Sequence, residues 1–431
     1  MAGFDKIKLS KQLLRSVAEL GYTGPKEIQQ KTLNRIIGGQ DVIAIGPEGA
    51  GKTTTYVLST LNRFNYAPEG VPKVLILVPE KEDVLATIEK FDSLNKNKSI
   101  SIVGLYVTPG LESQMDALAD GADIVVATPD RARAIYLKLG LNLNKIEVFI
   151  VDDADRMLKK GMQLPMTELA NSITKAQRLI FTDVLYSRLE KLIDPFLNNP
   201  AIIEIDEFEE SELATFHQLL YKVPNFLTKQ NLLNLFLQDA EVFTKSAVFI
   251  NNKATAEQIY RSLHRRMQDA VGCLNPPFFD MNGYKSVDEF KANPEARVMI
   301  VVTENNDEVD LSGIPFLIHF DIPQDTETYI KRVTNTTGDD ETIALTFATD
   351  MELSLVKQIE HATGNKMEPS ALPDDLVIVN DPKSRTEPKP APKKSEPEIG
   401  AAFHEKKASN NKNYNLSASE KARMNKKKKH G

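Results

Sequence analysis

Tryptophan is absent from this 431-residue chain, and cysteine occurs once, as Cys273. A single thiol rules out an internal disulfide, a redox pair and a multi-cysteine metal site. No apolar run reaches the length of about 18 residues that a membrane-crossing helix needs. The opening stretch, MAGFDKIKLSKQLL, is interrupted by charge too often to serve as a signal-peptide core. These absences predict a soluble chain of the reducing cytoplasm with no membrane partner. Positive charge is also scarce over most of the sequence. Residues 381–431 hold 14 Lys/Arg against 6 Asp/Glu, a net of +8, so the preceding 380 residues carry −15 of the total −7. An acidic body of this kind engages phosphate backbones only through a local groove or through such a basic tail.

What is present is a repeating α/β pattern. Short β-rich runs alternate with helical stretches at DVIAIG (41–46), KVLILVP (73–79), SIVGLYV (101–107), DIVVATP (123–129), EVFIVDD (147–153) and QRLIFTD (177–183). A second series follows at HQLLYKV (217–223), SAVFINN (246–252), RVMIVVT (297–303), PFLIHFD (315–321) and ETIALTF (341–347). Continuous apolar runs separated by helices mark parallel sheets buried on both faces, so the fold class is α/β with two tandem domains. The acidic segment IDEFEESELA (205–214) lacks apolar periodicity and is the expected linker, which gives domains at 1–208 and 209–368. Residues 369–431 are read as a disordered, basic, Pro/Lys-rich tail, because this composition buries too little surface to offset ordering entropy. Its four consecutive lysines at 426–429 suit nonspecific RNA attraction or simple solvation equally.

Gly46-Pro47-Glu48-Gly49-Ala50-Gly51-Lys52-Thr53 matches the phosphate-binding P-loop, between a strand and the helical stretch TTTYVLSTLNRF that opens at Thr53 and Thr54. Glycines let backbone N–H groups turn toward phosphates, Lys52 brings charge to the β- and γ-phosphates, and the Thr53 hydroxyl can ligate Mg²⁺. The strand VFIV ends in Asp152 and Asp153, where Asp152 would hold Mg²⁺ and Asp153 would polarise an attacking water. Such a pair also suits a helix cap.

These residues, with others in the same order from Phe4 to about residue 350, resemble the DEAD-box RNA helicases. Phe4 and the stretch Gly21-Tyr22-Thr23-Gly24-Pro25-Lys26-Glu27-Ile28-Gln29 are similar to the family's Q motif. That resemblance implies an aromatic stacked on adenine and Gln29 reading its edge, with Lys26 standing where a Ser or Thr is usual. The same stretch also fits a helix-turn-helix that buries Tyr22 and Ile28. Asp152-Asp153-Ala154-Asp155 resembles the DEAD element, with Asp153 one methylene shorter than the usual glutamate. Thr128-Pro129-Asp130-Arg131 is similar to TPGR, and Pro79-Glu80-Lys81-Glu82 keeps the frame of PTRE, so Thr128, Pro129, Arg131 and Lys81 are the implied RNA contacts. Both stretches also suit plain strand-end turns.

Further along, Phe181-Thr182-Asp183-Val184 stands where the family has SAT. Thr303 opens the counterpart of TDxxxRGxD, with RNA contact implied for Thr303 and Glu308 at an arginine position. In the stretch from Tyr329 to Gly338, Arg332 is retained, whereas Asn335 and Gly338 replace the two arginines that reach the γ-phosphate, which leaves Lys331 and Arg332 as candidate substitutes. The resemblance implies two RecA-like domains, ATP and Mg²⁺ as cofactors, RNA as partner, and ribonucleoprotein or ribosome-assembly partners. Its activity would be RNA-stimulated ATP hydrolysis that separates short duplexes. An arginine positioned on a phosphoryl-transfer transition state is worth about 10³ to 10⁵ in rate. The substitutions therefore keep a second expectation open, a hydrolysis-deficient scaffold that binds RNA.

Overall fold

The computed structural model describes residues 3–64, 70–97, 99–108, 110–205, 213–278, 281–305, 309–335 and 342–379. Glu308, Gly338, the centre of the expected linker and the tail from residue 380 lie outside the described residues.

The first domain carries seven strands: β1 (Val42–Ile45), β2 (Val74–Leu77), β3 (Ile102–Leu105), β4 (Ile124–Ala127), β5 (Val148–Val151), β6 (Gln177–Thr182) and β7 (Ala201–Glu204). They form one parallel sheet in the order β3-β4-β2-β5-β6-β1-β7. The runs VIAI, VLIL, IVVA and VFIV are buried at every position. Helices on both faces require that, and it is why these strands read as unbroken apolar runs. One face packs Ile43, Leu75, Val125 and Phe149 against one helical layer. The other packs Val42, Ile76, Ile150 and Phe181 against helices that include Glu27–Ile37 and Lys52–Arg63.

The second domain adds β8 (His217–Lys222), β9 (Ser246–Ile250), β10 (Val271–Leu274), β11 (Gly283–Tyr284), β12 (Val298–Val302), β13 (Phe316–His319), β14 (Ile343–Ala348) and β15 (Glu368–Ser370). Their order is β11-β10-β12-β9-β13-β14-β8-β15, again parallel throughout. Two parallel α/β sheets in series are the arrangement expected of tandem RecA-like domains. Every expected strand is present. The four that periodicity did not show are β7, β10, β11 and β15, at AIIE, VGCL, GY and EPS. These runs are too short or too polar to stand out, and all four lie at or next to a sheet edge.

The second domain continues past residue 368. Glu368–Ser370 pairs with β8, Leu372 and Leu376 pack on the domain's core, and the backbone N–H of Val379 donates to Thr228 Oγ1 at 3.1 Å. The tail boundary expected at 369 thus falls inside a packed segment, because Met367, Leu372 and Leu376 supply just enough apolar contact to hold it.

Candidate active site

The carboxyl ends of β1, β6 and β5 lie side by side, and each delivers one charged residue to the same place. β1 leads into the P-loop, β6 into Asp183 and β5 into Asp152. Ligands of open α/β sheets bind beyond such strand ends. The loop closes on Gly51, which caps the helix Lys52–Arg63 with a left-handed φ of 93°. A Cβ on Gly51 would stand 2.8 Å from Gln29 Nε2, so only glycine fits there. The Lys52 side chain is buried, and its Nζ donates to the carbonyl of Gly46 at 2.8 Å, to that of Pro47 at 3.4 Å and to the Asp183 carboxylate. Burial works against its charge, but Asp183, Asp153 and Asp152 outweigh it and raise the ammonium pKa above its ordinary value.

The Thr53 hydroxyl lies 3.4 Å from Asp152 Oδ2. Burial, and then Asp153 beside it, push Asp152 up to about 7 against the pull of Lys52. This is an environment that favours a neighbouring cation. A hydroxyl and a carboxylate next to a phosphate-binding loop match the oxygen-only donor set that Mg²⁺ takes together with phosphate. The residues present therefore fit both the metal and the nucleotide. Glu48, Gly49, Gly51, Lys52, Thr53 and Thr54 line a cleft of about 1120 Å³ with Tyr22, Lys90, Asp152, Asp153 and Asp183. From the second domain, Gln324, Ser354, Leu355 and Gln358 complete its wall.

Two residues expected at the adenine are placed elsewhere. Phe4 is 2% exposed in the core with Ile28 and Leu33, because burying an entire ring outweighs presenting one face to a cleft. Gln29 is also buried. Its Oε1 accepts from the Lys26 backbone N–H at 2.9 Å, capping the helix Glu27–Ile37, and its amide end braces Gly51 from behind. Tyr22 does face the cleft, with Lys90 Nζ donating to its hydroxyl at 2.7 Å. Gly46, Pro47 and Ala50 form the back of the loop, where Ala50 is buried and the two carbonyls hold Lys52. Lys26, at the position where the Q motif has a hydroxyl, ties to the loop through its Nζ on the Gly49 carbonyl.

Asp153 adopts a left-handed φ of 51°, a conformation that costs energy for a non-glycine residue and clusters at functional sites. Its Oδ2 accepts from Arg156 at 2.7 Å, and Arg156 also reaches Glu80 at 3.2 Å and Asp83 at 3.5 Å. The carboxylate expected to orient water is thus in an ion pair.

Lys81 and Arg131, two of the implied RNA contacts, follow β2 and β4 and are bridged by Tyr106 and Gln114. Lys81 Nζ stands 5.7 Å from the Tyr106 ring centroid, Gln114 Nε2 donates to the Tyr106 carbonyl at 3.0 Å, and Arg131 Nε donates to Gln114 Oε1 at 2.6 Å. Thr128 caps the helix Pro129–Leu137 and, like Pro129, is buried.

In the second domain Thr303 follows β12, and its hydroxyl accepts from Arg332 at 3.3 Å. Arg332 is only 7% exposed, with its guanidinium 4.4 Å from the Phe249 ring centroid. A guanidinium stacked on an aromatic inside a core is committed there. Arg332 does not line the cleft, and neither does the exposed Lys331. The structure therefore gives no support to either as a substitute for the missing arginines. The backbone N–H of Asn335 donates to the Ala214 carbonyl at 2.8 Å, away from the cleft.

Motif reading does not bring out Asp183 as a partner for Lys52, Arg156 as the hub of three carboxylates, or Tyr106 and Gln114 as the bridge between Lys81 and Arg131. Asp183 carried one signal, a carboxylate directly after a strand that parallels the P-loop strand.

The sequence pattern of the DEAD/DEAH box helicase family matches residues 26–192, which include the P-loop, Asp152 and Asp183. Through its first domain, this chain is similar to the DEAD/DEAH box helicases. Among curated relatives, it is similar to the ATP-dependent RNA helicase RhlB of Pseudomonas putida, 26% identical over 387 residues that cover 87% of this chain and 96% of the relative. It is also similar to the RNA helicase CrhR of Synechocystis, 26% identical over 377 residues, 86% of this chain and 75% of the relative. Among solved structures, a DEAD box protein from Methanococcus jannaschii aligns over 85% of this chain and 99% of its own, with 20% identity and a TM-score of 0.47. No described helix is long and apolar enough to cross a membrane.

Proposed function

We propose that this chain is an ATP-dependent RNA helicase-like protein that binds MgATP at the first domain's P-loop, engages RNA, and hydrolyses ATP slowly. The observation that carries the reading is the convergence of Lys52 and Thr53, which follow β1, with Asp152, which follows β5, on one cleft. Lys52 would bind the β- and γ-phosphates, and Thr53 with Asp152 would hold Mg²⁺, which when bound supplies charge neutralisation to the phosphates. Tyr22, beside Lys90, offers the aromatic face for a base. Lys81 and Arg131 place cations at neighbouring strand ends for an RNA backbone, in keeping with the names of the relatives RhlB and CrhR. The cytoplasm is the compartment this reading fits.

Slow turnover follows from the charges the structure pairs off. A positioned general base is worth about 10² to 10⁴ in rate, and Asp153 gives one carboxylate oxygen to Arg156 instead. The same pairing and the buried Arg332 favour a second reading, a helicase-derived scaffold that holds nucleotide and RNA without cycling, for instance in ribosome assembly. Phosphate release measured with and without RNA separates them. RNA-dependent release that disappears in Lys52→Ala supports the enzyme. Saturable MgATP binding with no release above that control supports the scaffold, and no binding at all sinks both.

A further inference from the structure

The Lys52 ammonium has three N–H donors, and three acceptors meet it: the carbonyls of Gly46 and Pro47 and the carboxylate of Asp183. We infer that Asp183 is an internal counter-ion that competes with the outer phosphates of a nucleotide for Lys52, and so limits how strongly the site prefers di- and triphosphates over monophosphates. The inference deepens the nucleotide reading above and rests on it.

The pairing is built in. Asp183 directly follows β6, the strand that lies between the P-loop strand and the Asp152 strand. Its position is held from behind by the buried Asp155, which accepts from the Asp183 backbone N–H at 3.3 Å and from the Thr182 hydroxyl at 2.9 Å. Both members of the ion pair are largely out of water, with side-chain exposures of 8% and 11%. At such a site charges are weakly screened, so exchanging one partner for another has large consequences.

A β- or γ-phosphate that reaches Lys52 must displace the Asp183 carboxylate. That carboxylate is then left facing added negative charge in a cleft already lined by Asp152, Asp153 and Asp155. Like charges brought together where water is scarce oppose binding. A lone α-phosphate does not extend to the P-loop lysine, whose reach is the β- and γ-positions. Asp183 therefore weakens ADP and ATP selectively and leaves AMP largely untouched.

Calorimetric titration of the full chain with MgADP, MgATP and AMP tests this, alongside Asp183→Asn, Asp183→Ala and Lys52→Ala, with thermal melting to confirm that each variant is folded. Removing the charge in either Asp183 variant is expected to tighten MgADP and MgATP by about tenfold or more and to leave AMP unchanged. Two folded Asp183 variants that bind MgADP no tighter than the wild type, or that gain equally for AMP, overturn the inference while Lys52-dependent binding still stands. Absence of MgADP and MgATP binding in the wild type and both variants overturns the nucleotide reading and this inference with it.

Discussion

The two domains share an architecture and treat their charged residues in opposite ways. In the first, Lys52, Asp152 and Asp183 stand at strand ends and face a cleft. In the second, the cation of the corresponding motif, Arg332, lies under its own domain with its guanidinium against Phe249 and Thr303. Charge at a strand end is available to a ligand, whereas charge packed on an aromatic ring stabilises the domain that contains it. A parallel α/β scaffold thus keeps its shape when site residues change, and shape alone does not say whether both halves of a two-domain site still work.

The largest expected effect is on the first domain. Lys52→Ala should weaken MgADP binding by roughly 100-fold, as truncating one member of a buried charged contact does. Titration calorimetry checks this, and a folded variant with wild-type affinity would dissolve the contrast between the domains. Arg332→Ala should do the reverse. Losing the ring contact and the hydrogen bond to Thr303 should cost about 2–4 kcal/mol of stability, read from a denaturant midpoint, while MgADP affinity stays as it was. A drop in affinity instead would mean that Arg332 does serve the nucleotide.

A smaller change is expected from Asp153→Glu. The added methylene lets the carboxylate reach beyond Arg156, and phosphate release should rise by roughly tenfold, a fraction of what a positioned base supplies. No gain would favour the scaffold reading. A last effect concerns pH. Asp152 is raised to about 7 in the fold, against an ordinary value of 3.8, so it is more readily protonated folded than unfolded. Its contribution to stability is then greatest below the unfolded value and is lost as pH rises toward 7. In metal-free protein, melting temperature followed from pH 4 to pH 8 should fall less steeply in Asp152→Asn than in the wild type; identical slopes would contradict the raised value.

The sequence by itself determined the parts that are local. Residues 46–53 carry their own conformational instruction, because glycines at fixed spacing before a helix make a phosphate cradle in any parallel α/β setting. Asp152 was legible for the same reason, as a carboxylate closing an apolar strand, and so were the continuous apolar runs of both sheets. Other parts depended on which strands became neighbours. Asp183 meets Lys52 across 131 residues only because β6 lies beside β1. Phe4 and Gln29 matched a motif, but tertiary packing turned one ring into core and gave one amide to a helix cap. Arg332 reads as a candidate finger in its motif, yet its guanidinium lies over Phe249. Spacing along a chain constrains backbone conformation nearby, whereas the partner of a long charged side chain is chosen by burial and by competing charges, and those exist only once the sheets have formed.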